Sequence, residues 1–203
     1  MQNLSATYVI YVIIAILISL VIHEFMHAYV GHLLGDSTAR EEGRLTLNPL
    51  SHIDPMMTVV LPIFTLLAFG APVLAAKPVP FNPDRVKYDE FGAALIAAAG
   101  PFSNLLLAFV VGIFVKHVAV ASALTDFLSV FVTLNIALFV FNLIPIPPLD
   151  GSRVLYAFAP ESLQRVMRDI EPFGIFIVFS LVLFANFGDF LGNINQAILN
   201  VIP

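Results

Sequence analysis

The chain has 203 residues, 59% of them hydrophobic and only 11% charged, with a mean hydropathy of +0.94, which excludes a water-soluble globular domain and identifies a membrane protein. With no cysteine, disulfide frameworks, thiolate nucleophiles, Cys-based zinc sites and iron–sulfur clusters are all ruled out, so any metal must be held by His, Asp or Glu. Nine Lys and Arg against fourteen Asp and Glu give a net charge of -5, and no basic stripe is present, so nucleic acid is not an expected partner.

A helix needs about 20 predominantly apolar residues to cross the hydrocarbon core, and runs of that kind organise the sequence. The first extends from about Tyr8 to Leu34 and lacks the basic n-region and cleavage site of a signal peptide, so it reads as a retained helix. Its last third carries His23-Glu24-Phe25-Met26-His27, an HExxH motif. Residues i and i+4 project from nearly the same side of a helix, so the two imidazoles can grip one zinc ion, with Glu24 beside it as a general base for a metal-activated water. Ionisable groups inside an apolar helix are functional candidates by default.

The segment Thr38 to Leu47 (TAREEGRLTL) is expected to form a short hairpin at the membrane surface, ended by Asn48-Pro49. Next comes an apolar run from Met56 to Ala76, broken by Pro62, Gly70 and Pro72. Lys77 to Asp89 is rich in proline and must be extended or looped. Two further spans are expected at about Phe91 to Val115 and Ala121 to Leu143, and a last one at about Phe173 to Phe187, with a weaker apolar tail. The joining segments are too short for an appended soluble domain, so residues 1–203 read as a single membrane-embedded domain: an all-α polytopic helical bundle with a surface β-hairpin and a re-entrant segment at about 56–76.

Topology follows from the basic residues. If the second run dips in and returns, Arg40, Arg44, Lys77, Arg85, Lys87, Arg153, Arg165 and Arg168 share one face, the cytoplasmic one, and only Lys116 lies opposite. A plain bundle in which the second run crosses fully is the alternative.

Catalytic zinc usually takes three protein ligands, so a third is required beyond His23 and His27. Among His32, His52, His117, Asp36, Asp54 and Asp150, the last is the best choice. His32 lies roughly 140° around the helix from His27. His117 falls on the opposite membrane face by the charge argument. Asp150 follows Asn142-Leu143-Ile144-Pro145-Ile146-Pro147-Pro148-Leu149, whose prolines break the fourth run at membrane depth, where irregular backbone is tolerated only against protein or a cavity. The first and fourth runs must then point the same way, which again asks for a re-entrant second run. His52 and Asp54 read as loop-satisfying groups, with a capping role over the site as the alternative.

HEFMH, the AAAGPFSN stretch (Ala97 to Asn104) and NLIPIPPLDG (Asn142 to Gly151) together resemble the site-2 protease family of intramembrane zinc metalloproteases, as do GRLTLNPLSHIDP and AKPVPFNP in its compact bacterial members. The resemblance covers about Tyr8 to Arg153. It implies a zinc metalloendopeptidase that hydrolyses a peptide bond within or near a transmembrane helix of another protein, holding one Zn2+ per chain on His23, His27 and Asp150 with Glu24 as base. It also makes Asn142 the first choice of oxyanion donor. Asn104, at mid-helix, either hydrogen-bonds across helices or touches substrate. Lack of targeting sequences suggests a prokaryotic cytoplasmic membrane, with the site toward the cytoplasm. An unwound substrate helix could be received by strand addition at Thr38 to Leu47 or Lys77 to Asn82. A non-enzymatic zinc transporter or partner-binding module would also explain buried His and Asp, but not Glu24 between the histidines; an HExxH enzyme acting on a lipid or isoprenoid-linked substrate is a third reading.

Overall fold

The computed structural model describes residues 5–54, 79–117, 122–184 and 187–202. Three long helices dominate it: α1 (Ala6–Leu33), α3 (Asp89–His117) and α4 (Ser122–Asn142), each long and apolar enough to cross a membrane. Between α1 and α3 lies the one-turn helix α2 (Thr38–Glu41). After α4 come α5 (Asp150–Phe158), α6 (Glu161–Ile170), α7 (Gly174–Phe184) and α8 (Phe187–Leu199).

The span-forming helices invert the soluble pattern. On α1, Ala15, Ser19, His23, His27 and Gly31 recur every fourth residue and are buried, whereas Ile10, Ile13, Ile14, Leu17 and Ile18 are exposed. Lipid tails accept the aliphatic side chains, while small and polar residues let neighbouring backbones approach and pair their groups internally. α3 is the central element, packed against α1, α4 and α5, and most of the face it buries is likewise small: Gly92, Ala97, Gly100, Ser103 and Ala108, beside Ile96, Pro101 and Asn104. At the other end of the bundle the apolar core joins Ala108 of α3, Val132 and Ile136 of α4, and Ile202 beyond α8.

The order of contacts fixes the directions. Going backward along α1 through His27, His23 and Ser19, the partners on α3 are Ile96 and then Asn104, so those two helices are antiparallel. Tyr11 meets Phe127 and Ser19 meets Asn135, so α1 and α4 run parallel. The connection between α1 and α3 leaves and returns at the same end of the bundle, since the Lys87 N–H donates to the Leu34 carbonyl (2.9 Å). The expected re-entrant run at 56–76 lies outside the described residues.

The expected β-hairpin is not formed, and no strand occurs among the described residues. Ala39, Arg40, Glu41 and Glu42 are good helix formers. Asp36 starts the turn by accepting the Thr38 N–H (3.0 Å) and hydroxyl (2.6 Å) on Oδ1, and Thr38–Glu41 follows as helix. Receipt of a substrate strand at Thr38–Leu47 therefore loses its basis. Of the apolar run expected at 173–187, residues 174–184 form α7 and Phe187 opens α8, and the segments Glu161–Val182 and Phe187–Leu199 are bent by 82°.

Asp36 is also the clasp of this end of the bundle. Its Oδ2 accepts the Asn82 N–H at 2.7 Å, tying the segment before α3 to the end of α1. Burial raises the carboxyl's pKa, but the hydrogen bonds from Thr38 and Asn82 and the charge of Arg85 outweigh it, leaving the group below its ordinary value. A depressed folded-state pKa means that the stabilisation is fully present above the ordinary carboxylate pKa and is lost as pH falls through the folded-state value. Asp36→Asn, which sets an amide N–H against that of Asn82, is expected to lower stability by about 1.5–3 kcal/mol and to flatten the acid limb of the unfolding profile, as read by thermal unfolding in detergent between neutral and acidic pH.

Candidate metal centre

His23 and His27 sit one turn apart on α1 and are both buried, with their Nε2 atoms 3.0 Å apart. Asp150 approaches from the break after α4, its Oδ2 lying 3.2 Å from His23 Nε2 and 3.4 Å from His27 Nε2. Among the described residues these three form the one group whose ligand atoms, all within 4.8 Å of one another, could hold a metal ion. His32, Asp36, His52, Asp54 and His117 are not part of it. His52 instead satisfies its loop, with Nε2 donating to the Thr46 carbonyl (2.8 Å), and His117 donates to the Ile113 carbonyl at the far end of α3.

Local sequence explains how Asp150 arrives. Pro145, Pro147 and Pro148 cannot continue α4, and the chain turns through the Ile146 N–H to the Ile144 carbonyl and the Leu149 N–H to the Ile146 carbonyl. Asp150 then opens α5, where the helix dipole favours a carboxylate. Gly151 is required behind it, because a Cβ there would stand 2.2 Å from the Leu143 carbonyl oxygen.

The donor set fits a cation. The Ile96 carbonyl can only accept, so His27 Nδ1 donates to it (2.7 Å), which leaves Nε2 as the ring nitrogen free to ligate. His23 Nδ1 is paired with Asn104 Oδ1 at 2.6 Å, leaving its Nε2 facing the same point. Asp150 Oδ2 is buried without a hydrogen-bond partner. Two imidazole nitrogens and a carboxylate oxygen thus converge, a ligand combination that suits zinc with a position left open.

The group lies in a cavity of about 540 Å³, whose wall also includes Glu24, Asn142, Leu20, Ile96, Leu138 and Phe141. Glu24, next to His23, is buried on this wall. Asn142 reaches it from the end of α4, with its side-chain amide donating to the Leu138 carbonyl (3.0 Å). Asn104 is not on this wall: it is fully buried, and its amide pairs with His23, Asn135 and Ser19 across helices. Sequence reasoning missed Gly100, Asn135 and Ser19. The signal was available as spacing: Gly100 and Asn104 are four apart on α3, and Ser19 lies four before His23.

Comparison with known proteins gives a consistent picture. Residues 110–185 match the profile of Peptidase family M50. The chain is 40% identical to the candidate zinc metalloprotease YwhC of Bacillus subtilis, across 86% of this chain and 80% of that protein. It is 31% identical to the candidate zinc metalloprotease Rip2 of Mycolicibacterium smegmatis (86% and 67% covered). Against MJ0611 of Methanocaldococcus jannaschii, another candidate zinc metalloprotease, it is 32% identical (75% and 73% covered). No solved structure matches the chain.

Gly100 closes the site from the α3 side. A Cβ there would lie 2.4 Å from His27 Nε2 and 2.7 Å from His23 Cε1, so the rings pack directly on the helix backbone. Gly100→Ala should therefore splay the imidazoles and reduce bound zinc, measured by metal analysis of the purified protein, on the order of tenfold, while α-helical content is retained.

Proposed function

The chain belongs to peptidase family M50, the site-2 protease family of zinc metalloproteases, and from that premise we propose that it cleaves a peptide bond within or beside a transmembrane helix of another membrane protein. The observation that carries this reading is the meeting of His23, His27 and Asp150 with Glu24 in one apolar cavity between helices that are able to cross the bilayer. In this reading residues 1–203 act as one intramembrane protease domain.

His23, His27 and Asp150 would hold the zinc. Bound there, zinc supplies Lewis acidity, which makes water more acidic and a peptide carbonyl more electrophilic. Glu24 takes the proton from the attacking water and delivers it to the departing amine, so that a C–O bond forms as the C–N bond breaks and no proton is left over. Asn142 donates to the oxygen on which charge develops; its amide has two N–H groups, so the bond to Leu138 leaves one for substrate. Leu20, Ile96, Leu138 and Phe141 keep the surroundings poor in water, which strengthens each of these polar contacts.

The protein is an integral membrane protein, and we place it in a prokaryotic cytoplasmic membrane with the metal centre toward the cytoplasm. What supports this is the grouping of Arg40, Arg44, Arg85 and Lys87 around the end of α1 and the start of α3, with Arg153, Arg165 and Arg168 on α5 and α6, against Lys116 alone at the far end of α3. A substrate helix must unwind to expose its peptide bond, because every backbone group of an intact helix in lipid is already paired.

The test is zinc content together with cleavage of a single-span model substrate. Wild type should hold zinc and cut. Glu24→Gln should keep zinc and lose about 10²–10⁴-fold in rate, whereas His23→Ala and Asp150→Asn should lose the metal. Unimpaired cleavage by Glu24→Gln would overturn the reading.

A further inference from the structure

Behind His23 runs a chain of buried polar groups that joins three helices and whose direction can be worked out from its ends. Asn135 on α4 donates through Nδ2 to the Phe131 carbonyl (2.9 Å) and to Ser19 Oγ (2.8 Å). Ser19 Oγ in turn donates to the Ala15 carbonyl (2.7 Å). Both carbonyls can only accept, so neither Asn135 nor Ser19 can be reversed without setting two acceptors face to face. Asn135 therefore offers its oxygen to Asn104, which must answer with Nδ2 (2.9 Å); the same Nδ2 also points to the Ser19 carbonyl (3.4 Å). That leaves Asn104 Oδ1 for His23, and an amide oxygen has no proton to give. His23 Nδ1 must be the donor across the 2.6 Å contact.

Asn104 and Asn135 are both at 0% exposure, so no water competes for these bonds. Burying three polar side chains in an apolar bundle costs several kcal/mol unless all are paired, and here each is. Apolar residues at positions 104 and 135 would pack the helices without that requirement, which makes the chain's effect on His23 its distinguishing consequence.

We infer that Asn104 is a positioning residue: anchored by Asn135 and Ser19, its oxygen holds His23 as the Nδ1–H tautomer and keeps Nε2 open toward the metal. The inference rests on the assignment of His23 as a ligand. His27 receives the same treatment from the Ile96 main-chain carbonyl, which no side-chain substitution at 104 or 135 removes. The two rings therefore respond differently to one change.

The test uses full-length protein, ¹⁵N-labelled at histidine and freed of metal with a chelator, with the imidazole tautomers read by ¹H–¹⁵N correlation at a pH where the rings are neutral. In wild type both His23 and His27 should be Nδ1–H. In Asn104→Leu, His23 should populate the Nε2–H form while His27 stays unchanged, and zinc affinity measured by chelator competition should fall about 10- to 100-fold. Asn104→Asp, which keeps an acceptor for His23 Nδ1 although it loses the amide donor to Asn135, should return His23 to the Nδ1–H form. A general loosening of the bundle would move both rings alike and would not be repaired by Asp. If Asn104→Leu does not fold, Asn135→Leu decides, because it frees the Asn104 amide to turn its N–H toward His23. An unchanged His23 tautomer in the folded variant, or equal shifts at both rings, would overturn the inference. A His23 shift with unchanged zinc affinity would instead count against His23 as a ligand, leaving the positioning of its ring intact.

Discussion

The convergence of three lone-pair atoms, His23 Nε2, His27 Nε2 and Asp150 Oδ2, is the constraint from which the rest of the molecule follows. Polar atoms 3.0 to 3.4 Å apart in an apolar interior need a cation or a shared proton between them, so the fold must bring all three to one point. It does so from two directions. The histidines belong to an uninterrupted helix, whereas the carboxylate is delivered by a proline-broken turn. For both to reach the same depth, α1 and α4 must run parallel, and α3 must run back between them. The return of the chain from Leu34 to Lys87 at one end of the bundle is a consequence of that requirement.

Helix α3 contributes none of the three atoms, yet it sets the orientation of both rings. Ile96, Gly100 and Asn104 are spaced by four and so occupy one face: a carbonyl for His27, a bare backbone against both imidazoles, and an amide oxygen for His23. Such contacts need a close helix approach, and this explains why Gly, Ala and Ser make up most of the buried face of α3, with Ile96, Pro101 and Asn104 among them, while Leu95, Phe102 and Leu106 face outward. In a soluble protein that arrangement would forfeit most of the hydrophobic driving force. In a bilayer the outward residues are already in an apolar solvent, and close packing and internal hydrogen bonds decide association instead.

Much of this was legible in the sequence, for identifiable reasons. The three spans could be read because runs of twenty apolar residues are rare outside membranes. HExxH could be read because its i, i+4 spacing has a direct geometric meaning, and Asp150 because prolines within a span need a destination. What could not be read was decided by tertiary partners. Thr46 and Leu47 look like strand residues, but the Asp36 carboxylate bonds to Thr38 and a helical turn follows it. Asn104 was ambiguous because a mid-helix asparagine can face either a cavity or a neighbour, and only the position of Asn135, thirty-one residues away, settles which. The bend between α7 and α8 was invisible because α7 is apolar throughout, and uniform hydrophobicity carries no periodicity from which a direction could be taken.

The two kinds of support behind the ligand atoms differ in a way that bears on how the centre is assembled. His27 leans on a main-chain carbonyl, which exists wherever α3 is helical. His23 leans on a side chain that must itself be oriented by two others from different helices. Asp150 leans on neither: its Oδ2 has no hydrogen-bond partner, and its place is set by the packing of Gly151 on the Leu143 carbonyl and of Gly174, at the start of α7, on that of Pro147. Pairing of the rings therefore requires only that α1, α3 and α4 associate, whereas the carboxylate joins them through the turn on which α5 and α7 also dock. The histidine pair can be set in the bundle before the third ligand is delivered, and the local stability of that turn, rather than of the bundle, governs how firmly the trio closes.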